Sequence, residues 1–252
     1  MKKMNKTLFA IIPIGLLLLA FSGCEESNDS MRLDSAGQAG SMARFAISKN
    51  NLYIVDNQNL LFFDIADATN PEPKGRVNIG FGIETIFPYR NNLFIGSTTG
   101  MHIYDISTPT NPVKLSVYRH VTACDPVVVQ DNYAYVTIRD GVECRFGENQ
   151  LDVVDISNLR EPQAVSTYLM YNPHGLGIDG MSLFVTEGEQ GLKIIDASDP
   201  FNLVFRFEIN SFHGYDVIPN NGHLIVIGKD GLYQYDYSNP DNMTFLSKIS
   251  VQ

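Results

Sequence analysis

The sequence predicts an all-β fold, a five-bladed β-propeller built from four-stranded antiparallel blades. One phrase, an alternating strand that ends in Asp and runs into a turn rich in Ser, Pro and Asn, occurs five times. Its Asp residues lie 41, 50, 41 and 40 residues apart, at Asp64, Asp105, Asp155, Asp196 and Asp236. Short strands and turns repeated with a period near this length are typical of propellers. No stretch of the chain shows sustained helical periodicity.

The start of the chain, residues 1–23, is predicted to be a signal peptide. Three early Lys residues are followed by an almost unbroken apolar run over residues 7–21, and a Ser-Gly pair then precedes Cys24. This order of basic, apolar and small residues is typical of an export signal. It resembles a bacterial lipoprotein signal, which implies that Cys24 is lipidated and becomes the mature N-terminus. The alternative is an uncleaved anchor, because the apolar run approaches the length of a short spanning helix.

Residues 24–41 are predicted to be the lipidated Cys and a flexible tether. The segment after Cys24 is small, polar and aperiodic, which is typical of linkers. Its acidic start, residues 25–29, resembles the surface-export signal of some Gram-negative lipoproteins, and a solvated spacer is the alternative. A stretch around Met31 and Leu33 is compatible with an extra edge strand on the last blade. We expect a lipid-anchored protein of the bacterial cell envelope, in the outer membrane and facing the periplasm or the cell surface.

The charge of the chain argues against nucleic acid as a partner. The chain has 18 Lys and Arg residues against 28 Asp and Glu residues, a net charge of −10, and the signal peptide contains only basic charges. An acidic surface repels nucleic acid and is not attracted to anionic lipid. Membrane attachment is therefore expected through the lipid anchor alone.

A single propeller domain is predicted over residues 42–252, with four strands in each repeat. β-branched and aromatic residues are enriched between Asn, Gly and Pro residues, which is the pattern of short strands. In a propeller, four-stranded sheets are arranged radially, so that only short, protected sheet edges remain. The predicted strands, repeat by repeat, are residues 43–48, 52–56, 60–64 and 74–78; 84–89, 93–97, 101–105 and 114–118; 126–130, 134–138, 151–155 and 163–168; 175–179, 183–186, 192–196 and 203–208; 214–218, 224–228, 232–236 and 244–250.

The five strand-ending Asp residues are predicted to be structural. An Asp before such a turn can accept backbone N–H bonds and fix the geometry of the turn. A single active site would also use such a residue once, whereas this Asp recurs in every repeat.

The repeats resemble the LVIVD-repeat family. The chain contains no Trp, which excludes the Trp-Asp type of propeller. Each repeat instead joins an aromatic-rich strand to Leu-x-hydrophobic-hydrophobic-Asp and then to Ile/Ala-Ser-x-Pro, most clearly at residues 134–136 with 151–157. The resemblance implies a lipid-anchored or secreted binding scaffold without an assigned chemistry.

The 50-residue spacing places an insertion in the third repeat, over residues 139–150. Cys144 lies in this loop, and Cys124 lies just before the first strand of the same repeat. In a four-stranded meander, the loop that enters strand one and the loop that joins strands two and three lie at the same end. In an exported chain such a pair favours a disulfide between Cys124 and Cys144. Two free thiols and a metal site are the alternatives.

Alignment of the repeats on their second strands predicts a candidate ligand site at the mouth of the central channel. The residues at the entries to the innermost strands are Arg44, Glu84, Asp125, His174 and, after one extra residue, His213. Glu84, Asp125, His174 and His213 together could ligate a divalent metal such as zinc or manganese, although the Arg44 cation opposes this. No cofactor is firmly indicated. The same residues could bind a small polar ligand, transfer protons, or line a wet channel mouth. His120 is a further candidate on the same face.

Three function classes remain open. The leading one is a non-enzymatic scaffold that binds a protein, peptide or glycan on one face, and aromatic residues predicted on that face are Phe146, Tyr171 and Phe212. The second is a hydrolase or lyase that uses a metal or acid–base site at the channel mouth. The third is a structural component of the envelope. The sequence contains no phosphate-binding Gly-rich loop, Gly-x-Ser-x-Gly elbow or His-Glu-x-x-His motif.

Overall fold

The computed structural model describes residues 40–119, 126–140 and 148–251, and it confirms the five-bladed propeller. Twenty strands form five antiparallel sheets, and in each sheet the strands lie side by side in chain order. The strands are β1 (Phe45–Ser48), β2 (Asn51–Val55), β3 (Asn59–Asp64) and β4 (Glu72–Asn78) in blade 1; β5 (Ile83–Tyr89), β6 (Asn92–Ser97), β7 (Gly100–Asp105) and β8 (Val113–Arg119) in blade 2; β9 (Val127–Gln130), β10 (Tyr133–Ile138), β11 (Gln150–Asp155) and β12 (Gln163–Leu169) in blade 3; β13 (Leu176–Asp179), β14 (Ser182–Thr186), β15 (Leu192–Asp196) and β16 (Val204–Ile209) in blade 4; β17 (Gly214–Asn220), β18 (His223–Gly228), β19 (Gly231–Asp236) and β20 (Thr244–Ser250) in blade 5.

The described residues all belong to one compact unit, Leu33–Gln252. Within the described ranges, no helix has the length and apolarity that a bilayer crossing requires. The predicted signal peptide, tether and possible extra strand lie outside those ranges and stay predictions.

The predicted structural role of the strand-ending Asp residues is confirmed. In every blade, one carboxylate oxygen of this Asp accepts the backbone N–H of the residue two positions later. These bonds are Ala66 N to Asp64 at 2.9 Å, Ser107 N to Asp105 at 2.7 Å, Ser157 N to Asp155 at 2.8 Å, Ser198 N to Asp196 at 2.9 Å and Ser238 N to Asp236 at 2.8 Å. Each bond closes a short side-chain turn at the same end of its blade, so the repeated phrase is a folding signal.

The core lies between the blades. Strand alternation sends successive side chains to opposite faces of a sheet, and the inner strands of blades 2, 3 and 4 are buried on both faces. Four hydrophobic clusters result: Tyr53, Leu60, Leu93 and Tyr104 between blades 1 and 2; Phe94, Met101, Val129 and Val136 between blades 2 and 3; Tyr135, Leu151, Leu183 and Val185 between blades 3 and 4; Phe184, Leu192, Val226 and Tyr233 between blades 4 and 5.

A glycine at the tight connection into β15 leads to a stability prediction. Gly191 has φ +76°, and an added Cβ would lie 2.0 Å from the carbonyl oxygen of Ile209. Gly180 also has a positive φ, +55°, but no atom lies within 4 Å of its Cβ position. We expect Gly191→Ala to lower the free energy of unfolding by about 1–3 kcal/mol more than Gly180→Ala, because only the first adds a backbone clash to the φ strain. Urea denaturation of both variants measures this difference, and equal losses would contradict it.

Candidate functional site

A cavity lies at the end of the channel where the innermost strands of blades 1 to 4 begin. Innermost strands surround the central channel of a propeller, so residues at their starts lie around its mouth. The cavity has a volume of about 320 Å³ and is lined by Met42, Arg44, Asn57, Ile83, Glu84, Thr85, Pro126, Arg139 and His174. The structure therefore brings three predicted site residues, from three different blades, into one lining.

β-bulges decide which side chains the blades present at this mouth. The pairing of β5 with β6 shifts between Ile83 and Thr85, and the pairing of β17 with β18 shifts between Gly214 and Asp216. The residues skipped by these shifts are Glu84 in blade 2 and Tyr215 in blade 5. A bulge bends its strand and re-aims the extra side chain. The blade 5 counterpart of Glu84 is thus Tyr215, and His213 lies two residues earlier than the repeat alignment requires.

His174 lies at the wall of the cavity and is held from several sides. Its backbone N–H donates to Thr186 O at 2.7 Å, and its carbonyl accepts from Thr137 Oγ1 at 2.7 Å. Arg139 Nη1 lies 3.3 Å from His174 Nε2. Because a guanidinium can only donate, Nε2 is the acceptor and the ring is the neutral tautomer with its proton on Nδ1. Burial, followed by the charges of Arg139 and His213, lowers the pKa of His174 to about 4.

His213 is brought beside His174, as predicted, although it is not part of the cavity lining. The two imidazole rings are 6.0 Å apart between centroids, and the ring of Tyr215 lies 5.9 Å from His174 and 4.8 Å from His213. This group of three rings closes the blade 4 and blade 5 side of the mouth. Its members contact one another through their ring faces and edges, a geometry that favours packing.

The described lining carries two guanidinium groups and one carboxylate. Arg44 Nη2 donates to the carbonyl of Ile83 at 3.1 Å, which fixes this cation across the junction between blades 1 and 2. Burial lowers the pKa of Arg139, and the charge of Glu84 acts in the opposite direction. A guanidinium stays charged even so. Positive charge therefore predominates among the described groups of this cavity, in a chain whose overall charge is −10.

Three of the four predicted metal ligands, Glu84, His174 and His213, lie within the described residues. Among the residues that the structure describes, no three His, Cys, Asp or Glu side chains are close enough together to hold a metal ion. The lone pair on His174 Nε2 already accepts a hydrogen bond from Arg139, and the charge of this guanidinium repels a cation. Asp125, the fourth predicted ligand, lies outside the described residues, so the divalent metal stays a prediction.

Other predicted features also lie outside the described residues. These are Cys24, the disulfide between Cys124 and Cys144, the spare candidate His120, and Phe146. Of the remaining aromatic residues predicted on the binding face, Tyr171 is exposed. Phe212 is buried instead and stacks on Tyr233 at a centroid distance of 4.5 Å, so it belongs to the core between blades 4 and 5.

Six of the nine lining residues were missing from the sequence prediction, and two of them, Asn57 and Arg139, follow the ends of second strands. Each lies five positions after the residue used to align its second strand, Leu52 in blade 1 and Ala134 in blade 3. Because the second strand runs antiparallel to the first, its end lies beside the start of the first strand. Alignment of the second-strand ends, in addition to the first-strand starts, would have found both residues.

The comparisons with known proteins assign the family. The LVIVD repeat pattern matches residues 39–79, 89–119, 122–170 and 176–211, which is more than half of the chain. The chain belongs to the LVIVD-repeat family. The fifth blade lies beyond the matched residues, yet it has the same four strands and the same Asp turn as the other blades of this LVIVD-repeat protein. No curated protein matches the sequence.

Several solved structures share the fold at low identity. A functionally unknown protein from Desulfotomaculum acetoxidans is 10% identical with a TM-score of 0.67, over 85% of this chain and 71% of that one. The computationally designed Ika8 protein is 14% identical with a TM-score of 0.60, over 81% and 60%. The periplasmic gluconolactonase of Pseudomonas aeruginosa is 13% identical with a TM-score of 0.58, over 81% and 70%. The LVIVD-repeat chain thus spans about two thirds of the length of these structures, and at such identities the likeness shows the fold alone.

Proposed function

We propose that this LVIVD-repeat protein is a non-enzymatic binding propeller of the bacterial envelope, lipid-anchored through Cys24, and that it holds a small carboxylate at the channel mouth. The observation that carries the proposal is the cavity lined by Arg44 and Arg139. Such a carboxylate can belong to a free organic acid, to the end of a peptide or to an acidic glycan. The cavity would recognise the carboxylate group that these three kinds of ligand share.

The size and charge of the cavity support this ligand class. A volume of about 320 Å³ lies at the lower end of the range for small-molecule sites. Guanidinium groups match the geometry of carboxylates and can bind them through two parallel N–H bonds. The partly buried position of Arg139 also strengthens this attraction, since a cavity screens charge less than bulk water does. Neutral His174 and the amide of Asn57 add groups that can bond to hydroxyls of the same ligand.

The test is calorimetric titration of the full chain with succinate, gluconate and, as a neutral partner of similar size, glucose. We expect a carboxylate to bind and Arg139→Gln to weaken its affinity about 10- to 100-fold, because a charged hydrogen-bond pair is lost. Arg160→Gln, in an exposed turn of the same blade, is the matched control and should leave the affinity unchanged. Equal binding of glucose, or no effect of Arg139→Gln, would refute the anion site.

A hydrolase or lyase is the second candidate, and buried, neutral His174 beside His213 is the observation that favours it. Imidazole is the commonest general acid–base group in enzymes, and the similar Pseudomonas protein is a gluconolactonase by name. Elemental analysis of the chain and of a His174→Ala, His213→Ala double variant tests the metal-dependent form of this candidate. Stoichiometric zinc or manganese that is lost in a folded double variant would favour an enzyme or a metal-dependent binder over the plain scaffold.

A further inference from the structure

The junction between blade 5 and blade 1 differs from the other four. A hydrophobic cluster fills each junction from blade 1 to blade 5. Every strand of blades 1 and 5 is described, yet within the described residues no such cluster joins these two blades. The polar contacts seen between their described residues lie at the inner edge, where Ser41 Oγ and the backbone N–H of Met42 donate to Asp216 at 3.1 and 3.4 Å.

Among the described residues, a bond that occurs at three of the other four junctions is also missing here, as it is between blades 4 and 5, where Phe207 replaces the donor. At each of the first three junctions, a side-chain hydroxyl of one blade donates to a backbone carbonyl of the next blade. The acceptor is always the residue four positions after the strand-ending Asp. The bonds are Tyr53 OH to Pro109 O at 3.4 Å, Ser116 Oγ to Leu159 O at 2.6 Å and Ser166 Oγ to Pro200 O at 3.0 Å. Ala68 is the equivalent acceptor in blade 1. Among the described residues, no side chain of blade 5 bonds to it, and Ser247, the equivalent of Ser116 and Ser166, is exposed.

The free face of blade 1 is apolar. Strand pairing places Phe45 opposite Ile54 on the face that points away from blade 2. Phe45 is 53% exposed and Ile54 is half-buried, whereas their counterparts one repeat later, Ile86 and Ile95, are buried against blade 1. The same kind of side chain is therefore present in both blades, but only in blade 2 is it covered.

The free face of blade 5 is apolar as well. Ile225 and Leu232 are half-buried, whereas their blade 2 counterparts, Phe94 and Met101, are completely buried against blade 3. Ile249 pairs with Leu232 across the sheet and is 55% exposed. Contiguous exposed apolar side chains of this kind mark interaction surfaces.

We propose that the free face of blade 5 in one copy of this chain packs against the free face of blade 1 in a second copy. The argument is repeat equivalence: within the chain, the corresponding faces already pack against each other at four junctions. The two terminal faces are thus complementary to each other and not to themselves. Such a contact is head-to-tail, because the blade 5 face of one copy meets the blade 1 face of the next.

The preceding tether is a less suitable occupant. It joins the propeller at this junction, since Gly40 approaches Asp216 so closely that an added Cβ would lie 2.0 Å from a carboxylate oxygen. Residues 25–39 nevertheless contain only two large apolar side chains, Met31 and Leu33, and no aromatic one. Two such side chains offer little apolar surface against two sheet faces, whereas a blade of the same family presents a whole apolar face.

The test is sedimentation velocity of the full chain over a range of concentrations, in mild nonionic detergent that holds the apolar residues 7–21. Phe45→Lys damages the blade 1 face and Ile249→Lys damages the blade 5 face, both at exposed positions. Met181→Lys, at a site that is 62% exposed in blade 4, is the matched control. We expect concentration-dependent association of the chain, an apparent dissociation constant at least about tenfold higher in each face variant, and no change in the control.

An equimolar mixture of the two face variants gives the decisive result. The Phe45→Lys copy keeps an intact blade 5 face and the Ile249→Lys copy keeps an intact blade 1 face, so the mixture should form dimers and no larger species. A chain that stays monomeric, or a mixture that does not associate, overturns the proposal. Association that appears only after deletion of residues 25–39 also overturns it, because the tether would then be the occupant.

Discussion

Replacement of Phe184 by Ala is expected to lower the free energy of unfolding by about 3–5 kcal/mol, the usual loss for an aromatic residue removed from a packed core. Phe184 lies on β14 and is completely buried between blades 4 and 5. Its ring packs edge-on against Tyr237 at a centroid distance of 5.0 Å. The phenol of Tyr237 is itself fixed by donation to Asp179 at 2.6 Å. Because the surrounding side chains are held by two sheets, the site cannot collapse to fill the space left by the ring.

Phe205→Ala is the matched control for this change. Phe205 belongs to the same blade, on the outer strand β16, and is 53% exposed. Chemical denaturation of both variants should show a loss several-fold larger for Phe184→Ala, with an unchanged dependence on denaturant. Equal losses would mean that blade junctions are not where this propeller gains its stability.

The sequence was sufficient to predict the fold because each blade repeats the same local code. Alternating strands and an Asp that closes its own turn are visible without any long-range information, and Asp64 to Asp236 perform that role as predicted. The repeat period then determines the number of blades. Even the unmatched fifth repeat follows the same rule, so blade 5 was predictable from its strand pattern and from the position of Asp236.

The candidate site was less predictable because β-bulges and side-chain burial depend on tertiary packing. Symmetry brought Arg44, Glu84 and His174 together as expected. Alignment of blade 5 without an inserted residue puts Tyr215, nine residues before Leu224, at the position equivalent to Glu84, and His213 lies two residues before it. Burial of Phe212 was missed because its stacking partner, Tyr233, lies on β19, which is separated from β17 by β18 in the sheet.

Asp216, a buried carboxyl group at the junction between blades 5 and 1, makes the stability of the protein depend on pH. Burial raises its pKa to about 6, although hydrogen bonds from Val217, Met42 and Ser41 oppose the shift. Ser41 Oγ in turn accepts the backbone N–H of Leu176 at 2.8 Å. This carboxyl group therefore fixes the segment that enters blade 1 against blades 4 and 5.

The folded state binds the Asp216 proton more tightly than the unfolded chain, where an Asp has a pKa of about 3.9. The stabilising contribution of the protonated form is complete at pH values well below about 4 and is lost as the pH rises through about 6, which amounts to about 3 kcal/mol. Asp216→Asn keeps the shape of the side chain but cannot ionise. We therefore expect the free energy of unfolding of Asp216→Asn, relative to the wild type, to increase by about 2 kcal/mol between pH 4 and pH 8, since part of the change already occurs below pH 4.

Urea denaturation at intervals between pH 4 and pH 8 measures this difference. Asp236→Asn is the control. The backbone N–H of Ser238 lowers the pKa of this exposed Asp, so the free energy of unfolding of Asp236→Asn, relative to the wild type, should decrease slightly as the pH rises. A difference between Asp216→Asn and the wild type that does not change with pH would show that the carboxyl group is ionised throughout. The contacts of Ser41 and Met42 would then hold a charged group, and the link between blade 5 and the start of blade 1 would be insensitive to pH.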